Sequence, residues 1–286
     1  MEAKAFRTKL QQDRQKTEAR PYTLTVCGKR ITLSRPNGRF GVKPKNTRGP
    51  IVTFSRKARA RQLRKIAEID WQAAGPGLFF TVTYPDECAF HTMKERAKHR
   101  YLIHRHIEHE IGDHVGLAWR VEWLPRKSGS NVGTILPHMH FLLFTDGGLD
   151  THDLRKVWMR TIGAKRHTQI DLQRVSLGDM VSVYAAKYCT KASDASILDN
   201  VPYHNRTGRH AGWLRENTIP RHPKEVYENV SKAIVLAMRR RACETLWWYD
   251  PRFDEGFSII GDAAIDVIRE FYGITVDSIG ELPYTL

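Results

Sequence analysis

Residues 116–144 read "GLAWRVEWLPRKSGSNVGTILPHMHFLLF". The first nine alternate: Trp119, Val121 and Trp123 fall on one side, Arg120 and Glu122 on the other, which is the period of a strand. A polar, glycine-containing loop follows. Residues 136–144 then return as a second strand rich in Phe and Leu. The two runs predict an antiparallel β-hairpin with a long loop. Side chains of a strand point alternately to its two faces, so His138 and His140 share one face while Met139 and Phe141 point the other way into apolar packing. Two neutral imidazoles side by side suit a divalent metal. Glu122, on the preceding strand and on the face of Arg120, can complete a set of two histidines and one carboxylate that leaves coordination positions open for substrate oxygens. The plain alternative is a pair of half-buried histidines with a structural role. "IHRHIEHE" holds a second pair of the same spacing, His104 and His106. That stretch reads as helix, where two residues turn about 200° and send the rings to opposite sides.

The surroundings of the hairpin mix both element types. "GLFFTVTYPDE" (77–87) is a strand, opened by Gly-Pro-Gly and closed by Pro85. Residues 90–112 and 150–163 read as helices, and "TQIDLQRV" (168–175) alternates as a strand. "SRKARARQLRKIAEIDW" (55–71) starts at a capping serine and forms a helix with Leu63, Ile66 and Ile69 on one face and Arg/Lys over the rest. That basic surface fits either contact with phosphates or plain solvation. "YTLTVCGKRITLS" (22–34) has the form of a hairpin, and residues 224–247 read as a helix. The one clear adjacent strand pair is antiparallel, so the expected class is α+β. Composition divides the chain into a basic extension (1–50), a main domain (51–247) and a C-terminal segment of unknown role (248–286).

The bulk numbers narrow the function. Among 286 residues, Lys and Arg number 46 and Asp and Glu 31, a formal charge of +15. Such an excess points to a polyanionic partner, most simply nucleic acid. Cys27, Cys88, Cys189 and Cys243 lie far apart, which reads as reduced thiols rather than a disulfide frame or zinc ribbon. No apolar run is long enough to span a membrane and no secretory core opens the chain, so the expected compartment is the cytoplasm.

"VYAAKYCTK" (183–191) adds chemistry to the histidine pair. Tyr184, Lys187, Tyr188 and Lys191 recur at i, i+3, i+4 and i+7, one stripe on a helix that begins near Asp179. A buried aromatic pair with solvated lysines is the bland reading of this stripe. Beside a metal, it holds the groups needed for phosphoryl transfer to a protein hydroxyl. A phenol with a pKa near ~10 is a poor nucleophile and a phosphodiester a poor electrophile. A divalent cation and Lys187 can both offset the charge that builds on the phosphate.

Three motifs together resemble the HUH endonucleases, the nickases of rolling-circle replication, conjugation and single-strand transposition. "FFTVTYP" is similar to the family's first motif, "PHMHFLL" to its second and "VYAAKYCTK" to its third, in the family's order over roughly residues 75–195. The spacing of Tyr184 and Tyr188 resembles the two-tyrosine replication initiators of small single-stranded-DNA phages and plasmids. The resemblance implies a central antiparallel sheet of about five strands flanked by helices. It implies His138 and His140 as metal ligands with Glu122 as the third, and Glu110, His114 and Asp86 as substitutes for it. Tyr184 and Tyr188 would be the nucleophiles and Lys187 their assistant at the phosphate. The implied metal is Mg²⁺ or Mn²⁺. The implied activity is site-specific nicking and joining of single-stranded DNA through a 5′-phosphotyrosine link in a bacterial host cell. No GxxxxGK[ST] loop is present, so a host helicase and polymerase are the expected partners. A mobilisation relaxase or transposase-type nickase is the alternative within the family, and a water-using phosphodiesterase a further enzymatic one. A basic nucleic-acid-binding protein is the non-enzymatic alternative.

Overall fold

A computed structural model describes residues 22–34, 51, 53–85, 92–112, 116–127, 132–145, 147–165, 168–176, 195–202, 205, 207–246 and 256–272. Its elements in chain order are β1 (Tyr22–Cys27), β2 (Arg30–Ser34), α1 (Arg56–Ala67), α2 (Trp71–Ala74), β3 (Gly77–Thr83), α3 (Met93–Ile111), β4 (Gly116–Pro125), β5 (Ile135–Phe144), α4 (Thr151–Ile162), β6 (Ile170–Val175), α5 (Ala195–Asp199), β7 (Ala211–Leu214), β8 (Glu225–Val230), α6 (Lys232–Thr245), β9 (Gly256–Ile260) and α7 (Asp262–Tyr272). The class is α+β. The chain divides into one unit of residues 48–221 and another formed by residues 1–47 with 222–286. Composition alone predicts divisions at 50/51 and 247/248.

The unit 48–221 is built on a five-stranded antiparallel sheet in the order β6-β3-β5-β4-β7. The hairpin read from residues 116–144 is its centre, with Glu122 opposite His138 and Arg120 opposite His140. The period of two sorts each strand's side chains between two cores. On one face Phe80, Val82, Trp119, Val121, Met139 and Phe141 are buried beneath α3 and α4, which contribute Ile103, Ile107, Leu154 and Trp158. On the other face Phe79, Ala118 and Leu142 pack with Ile66 of α1, and with Ile69 and Ile219.

Local chemistry sets the helix starts. Ser55 caps α1 by accepting from the amide of Ala58. Thr92 and Glu95 form a reciprocal capping box on α3, and Asp150 caps α4. Such caps satisfy amides that have no partner within the helix. On α3, Arg96, Arg100, His104 and Glu108 recur every four residues and are buried. Arg96 donates to the carbonyl of Asn205 at 2.8 Å, the Arg100 guanidinium stacks 3.6 Å from the centre of the Trp119 ring, and Arg215 pairs with Glu108. This polar seam fastens residues on both sides of β7. Burial lowers both Arg96 and Arg100 to about 10, so both remain cations at neutral pH.

The second unit has its own core. Its sheet runs β8-β1-β2-β9, antiparallel throughout. Leu24, Val26, Ile31, Leu33, Phe257 and Ile259 pack with Val235 and Met238 of α6 and Val267 of α7. The hairpin expected at 22–34 is therefore present, and it supplies the two inner strands of a sheet rather than a basic extension. The helix expected over 224–247 begins only at Lys232, because residues 225–230 pair with β1 as an edge strand.

Candidate metal and phosphate site

Three adjacent strands bring the site together. Antiparallel register sets Thr81 opposite His140 and Thr83 opposite His138. Each threonine hydroxyl meets the Nδ1 atom of the ring it faces, at 2.9 Å for Thr81 with His140 and 3.0 Å for Thr83 with His138. The two bonds are the same contact repeated two residues apart, and they orient both imidazoles. With Nδ1 engaged, Nε2 is the nitrogen through which each ring can meet a carboxylate or a cation.

From the other side, β4 supplies Glu122. Its carboxylate accepts from Nε2 of His140 at 3.1 Å. Arg120, 1 % exposed, lies 3.8 Å from the other carboxylate oxygen. The guanidinium of Arg120 sits 5.1 Å from the centre of the Phe54 ring, just ahead of α1. The ring of Phe79 stacks near His140, with centroids 6.0 Å apart. The site thus has a floor of β3, β4 and β5 and occupies the same sheet face as α1.

Burial, then the neighbouring His140, push the His138 imidazole down to about 4. Glu122 pulls the other way, and Arg126 adds to the lowering. His138 is therefore neutral at physiological pH, the form that offers a nitrogen lone pair.

Among the described residues no three His, Cys, Asp or Glu side chains are gathered as a cage around one point. What the strands do gather is a donor set: His140 and Glu122 touch, and His138 stands directly across from Glu122. Two imidazole nitrogens and a carboxylate suit a divalent cation of the magnesium-to-zinc range. The threonine bonds supply the outer support that metal-bound histidines ordinarily have. In donor chemistry, though not as a closed cage, these residues suit such an ion.

Other expected residues are distributed differently. Glu110 lies on α3, the helix packed on the opposite sheet face, where it meets His109 and His106. His104 and His106 are on that helix too, the first buried against Glu108 at 3.6 Å and the second beside Glu110. Asp86, His114, Asp179, Tyr184, Lys187, Tyr188 and Lys191 lie outside the described residues. Thr81, Thr83, Arg120 as a partner of Glu122, and Phe54 were not singled out as site residues from the sequence. The signal for the threonines was present: Thr-x-Thr in "FFTVTYP" has the two-residue step of His-x-His.

No protein-family model matches the chain, and no curated protein matches it. Among solved structures the chain is similar to the hypothetical protein ORF119 from Sulfolobus islandicus rod-shaped virus 1. The two are 23 % identical over 44 % of this chain and 90 % of that one, with a TM-score of 0.25. Among the described residues no helix is long and apolar enough to cross a membrane.

Proposed function

We propose that this chain is a rolling-circle replication initiator that nicks and rejoins single-stranded DNA through a phosphotyrosine link, as its resemblance to the two-tyrosine HUH endonucleases implies. The observation that carries the reading is the placement of His138, His140 and Glu122 on one sheet face, with both rings aimed by hydroxyls of the strand that resembles the family's first motif.

In this reading His138, His140 and Glu122 would hold magnesium or manganese, which would supply positive charge to the phosphate oxygens. Thr81 and Thr83 fix the rings. The low proton affinity of His138 keeps its lone pair available across the neutral range. Arg120 restrains Glu122 and adds positive charge near the phosphate. The nucleophile is the phenol of Tyr184 or Tyr188. The phenol gives up its proton as its oxygen bonds to phosphorus, the bond from phosphorus to the 3′ oxygen breaks, and the departing 3′ oxygen takes up a proton. The products are a 5′-phosphotyrosine and a free 3′ hydroxyl that a host polymerase can extend. The link conserves the phosphodiester's energy, so attack by a 3′ hydroxyl reverses it without a nucleotide cofactor. Two tyrosines allow one site to hold one end while cutting a second.

The test uses full-length protein, a labelled random-sequence single-strand pool and Mn²⁺. A labelled covalent adduct that survives denaturing electrophoresis, and is lost with chelator or in Tyr184→Phe/Tyr188→Phe, is the expected result. Cutting without an adduct refutes the phosphotyrosine step and favours attack by water. Adduct persisting in the double variant refutes the assignment of the nucleophiles.

A further inference from the structure

The expected basic helix leaves open whether its charge is a solvated surface or a docking surface, and its position decides between them. Helix α1 reads "RKARARQLRKIA" and contains no carboxylate. Gln62 and Ile66 are its buried side, set into the core with Phe79, Ala118 and Leu142. At 100° per residue, Lys57, Arg61 and Arg64 fall together on the opposite side, and all three are exposed. None of the three forms an ion pair with a described residue. The stripe spans about 10 Å at ~1.5 Å per residue. It ends where Glu68, paired with Arg221 at 2.7 Å, brings in the first carboxylate.

The stripe also begins beside the site. Phe54 and the capping Ser55 directly precede α1, and the Phe54 ring contacts the guanidinium of Arg120, the cross-strand partner of His140. The helix lies on the same sheet face as the histidines, because Phe79, Ala118 and Leu142 alternate in step with Thr81, Arg120 and His140. Lys94 and Lys98 on α3 and Arg160 on α4 are also exposed, and they belong to helices on the opposite face.

We infer that Lys57, Arg61 and Arg64 form a track for the phosphodiester backbone of the DNA strand that enters the candidate site. The ligand chemistry is a row of phosphates, read by charge and spacing and not by base. The inference rests on the proposed function for the identity of the strand, but its test needs no cutting.

The measurement is the binding of full-length protein to labelled oligothymidine, and separately to a labelled duplex, in EDTA between roughly 50 and 200 mM salt. Each lysine or arginine neutralising a single-strand phosphate contributes about 0.7 to the slope of log affinity against log salt. Lys57→Gln/Arg61→Gln/Arg64→Gln should therefore make the slope shallower by about 2. Across a fourfold rise in salt, the parent then loses about 20-fold more affinity than the variant. The control Lys94→Gln/Lys98→Gln/Arg160→Gln removes equal charge from the opposite face and should keep the parent's slope. An unchanged slope in the first variant, an equal loss in the control, or an effect confined to the duplex each overturns the track. Absence of a DNA adduct in the parent, together with the expected shallower slope in the first variant, refutes only the nicking reaction.

Discussion

Consider acidifying the protein in EDTA while following the ring protons of His138 by NMR and the free energy of unfolding by urea. A solvated imidazole has its midpoint at 6.5, whereas in the fold that of His138 is near 4. At pH 5.5 the unfolded ring is about 90 % protonated and the folded ring about 3 %. Between the two midpoints the unfolded chain binds more protons, so stability must rise with pH in that window. The contribution of His138 is complete above about 6.5 and is lost as pH falls toward 4. Linkage puts the loss at about 1 kcal/mol between pH 7 and 5.5 and about 3 kcal/mol by pH 4. His138→Asn retains a polar atom near Thr83 but cannot titrate, so its stability curve should be flatter by those amounts over the same range. A ring that titrates near 6.5, or a variant curve parallel to the parent's, would show that His138 is not held neutral by its surroundings and would refute the electrostatic picture of the site.

Thr81→Val and Thr83→Val preserve the shape of the strand but remove the bonds to Nδ1. Each should weaken Mn²⁺ binding by roughly 10–100-fold in calorimetry without unfolding the protein, and unchanged affinity would show that the hydroxyls do not orient the rings. Gly212→Ala tests the edge of the sheet. A methyl there would lie 2.9 Å from the Trp119 ring, which is itself stacked on Arg100, so thermal unfolding should report destabilisation of about 1–3 kcal/mol.

The hairpin of residues 116–144 was legible because its partner strands are neighbours in sequence and its apolar and polar residues alternate cleanly. The histidine face, its pairing with Glu122 and the cap at Ser55 depend on equally local chemistry. The role of residues 22–34 was not legible. Their pairing partners, β8 and β9, lie some 200 residues further along the chain, and no local signal records a pairing across that distance. The same cause hid β8. "EVYENV" carries Val and Tyr at strand-like positions, but it runs without a break into the pattern of α6, and only the presence of β1 decides its state. The threonines of β3 escaped notice because a strand explains Thr-x-Thr by propensity alone. Their bonds become visible only once register sets them against the histidines.

The interleaving of β1 and β2 between strands from the other end of the chain has a consequence for biosynthesis. A two-stranded ribbon is at best marginal alone, and this one carries Leu24, Val26, Ile31 and Leu33 on a single side. It leaves the ribosome long before Phe257 and Ile259 exist to cover its flank. At ~5–20 residues per second, residues 35–260 take about 10–45 s to make. Throughout that interval the nascent chain presents an apolar ribbon with its flank uncovered, while the strands of 48–221 are still being made. A chaperone that engages uncovered apolar segments would find a substrate in residues 22–34.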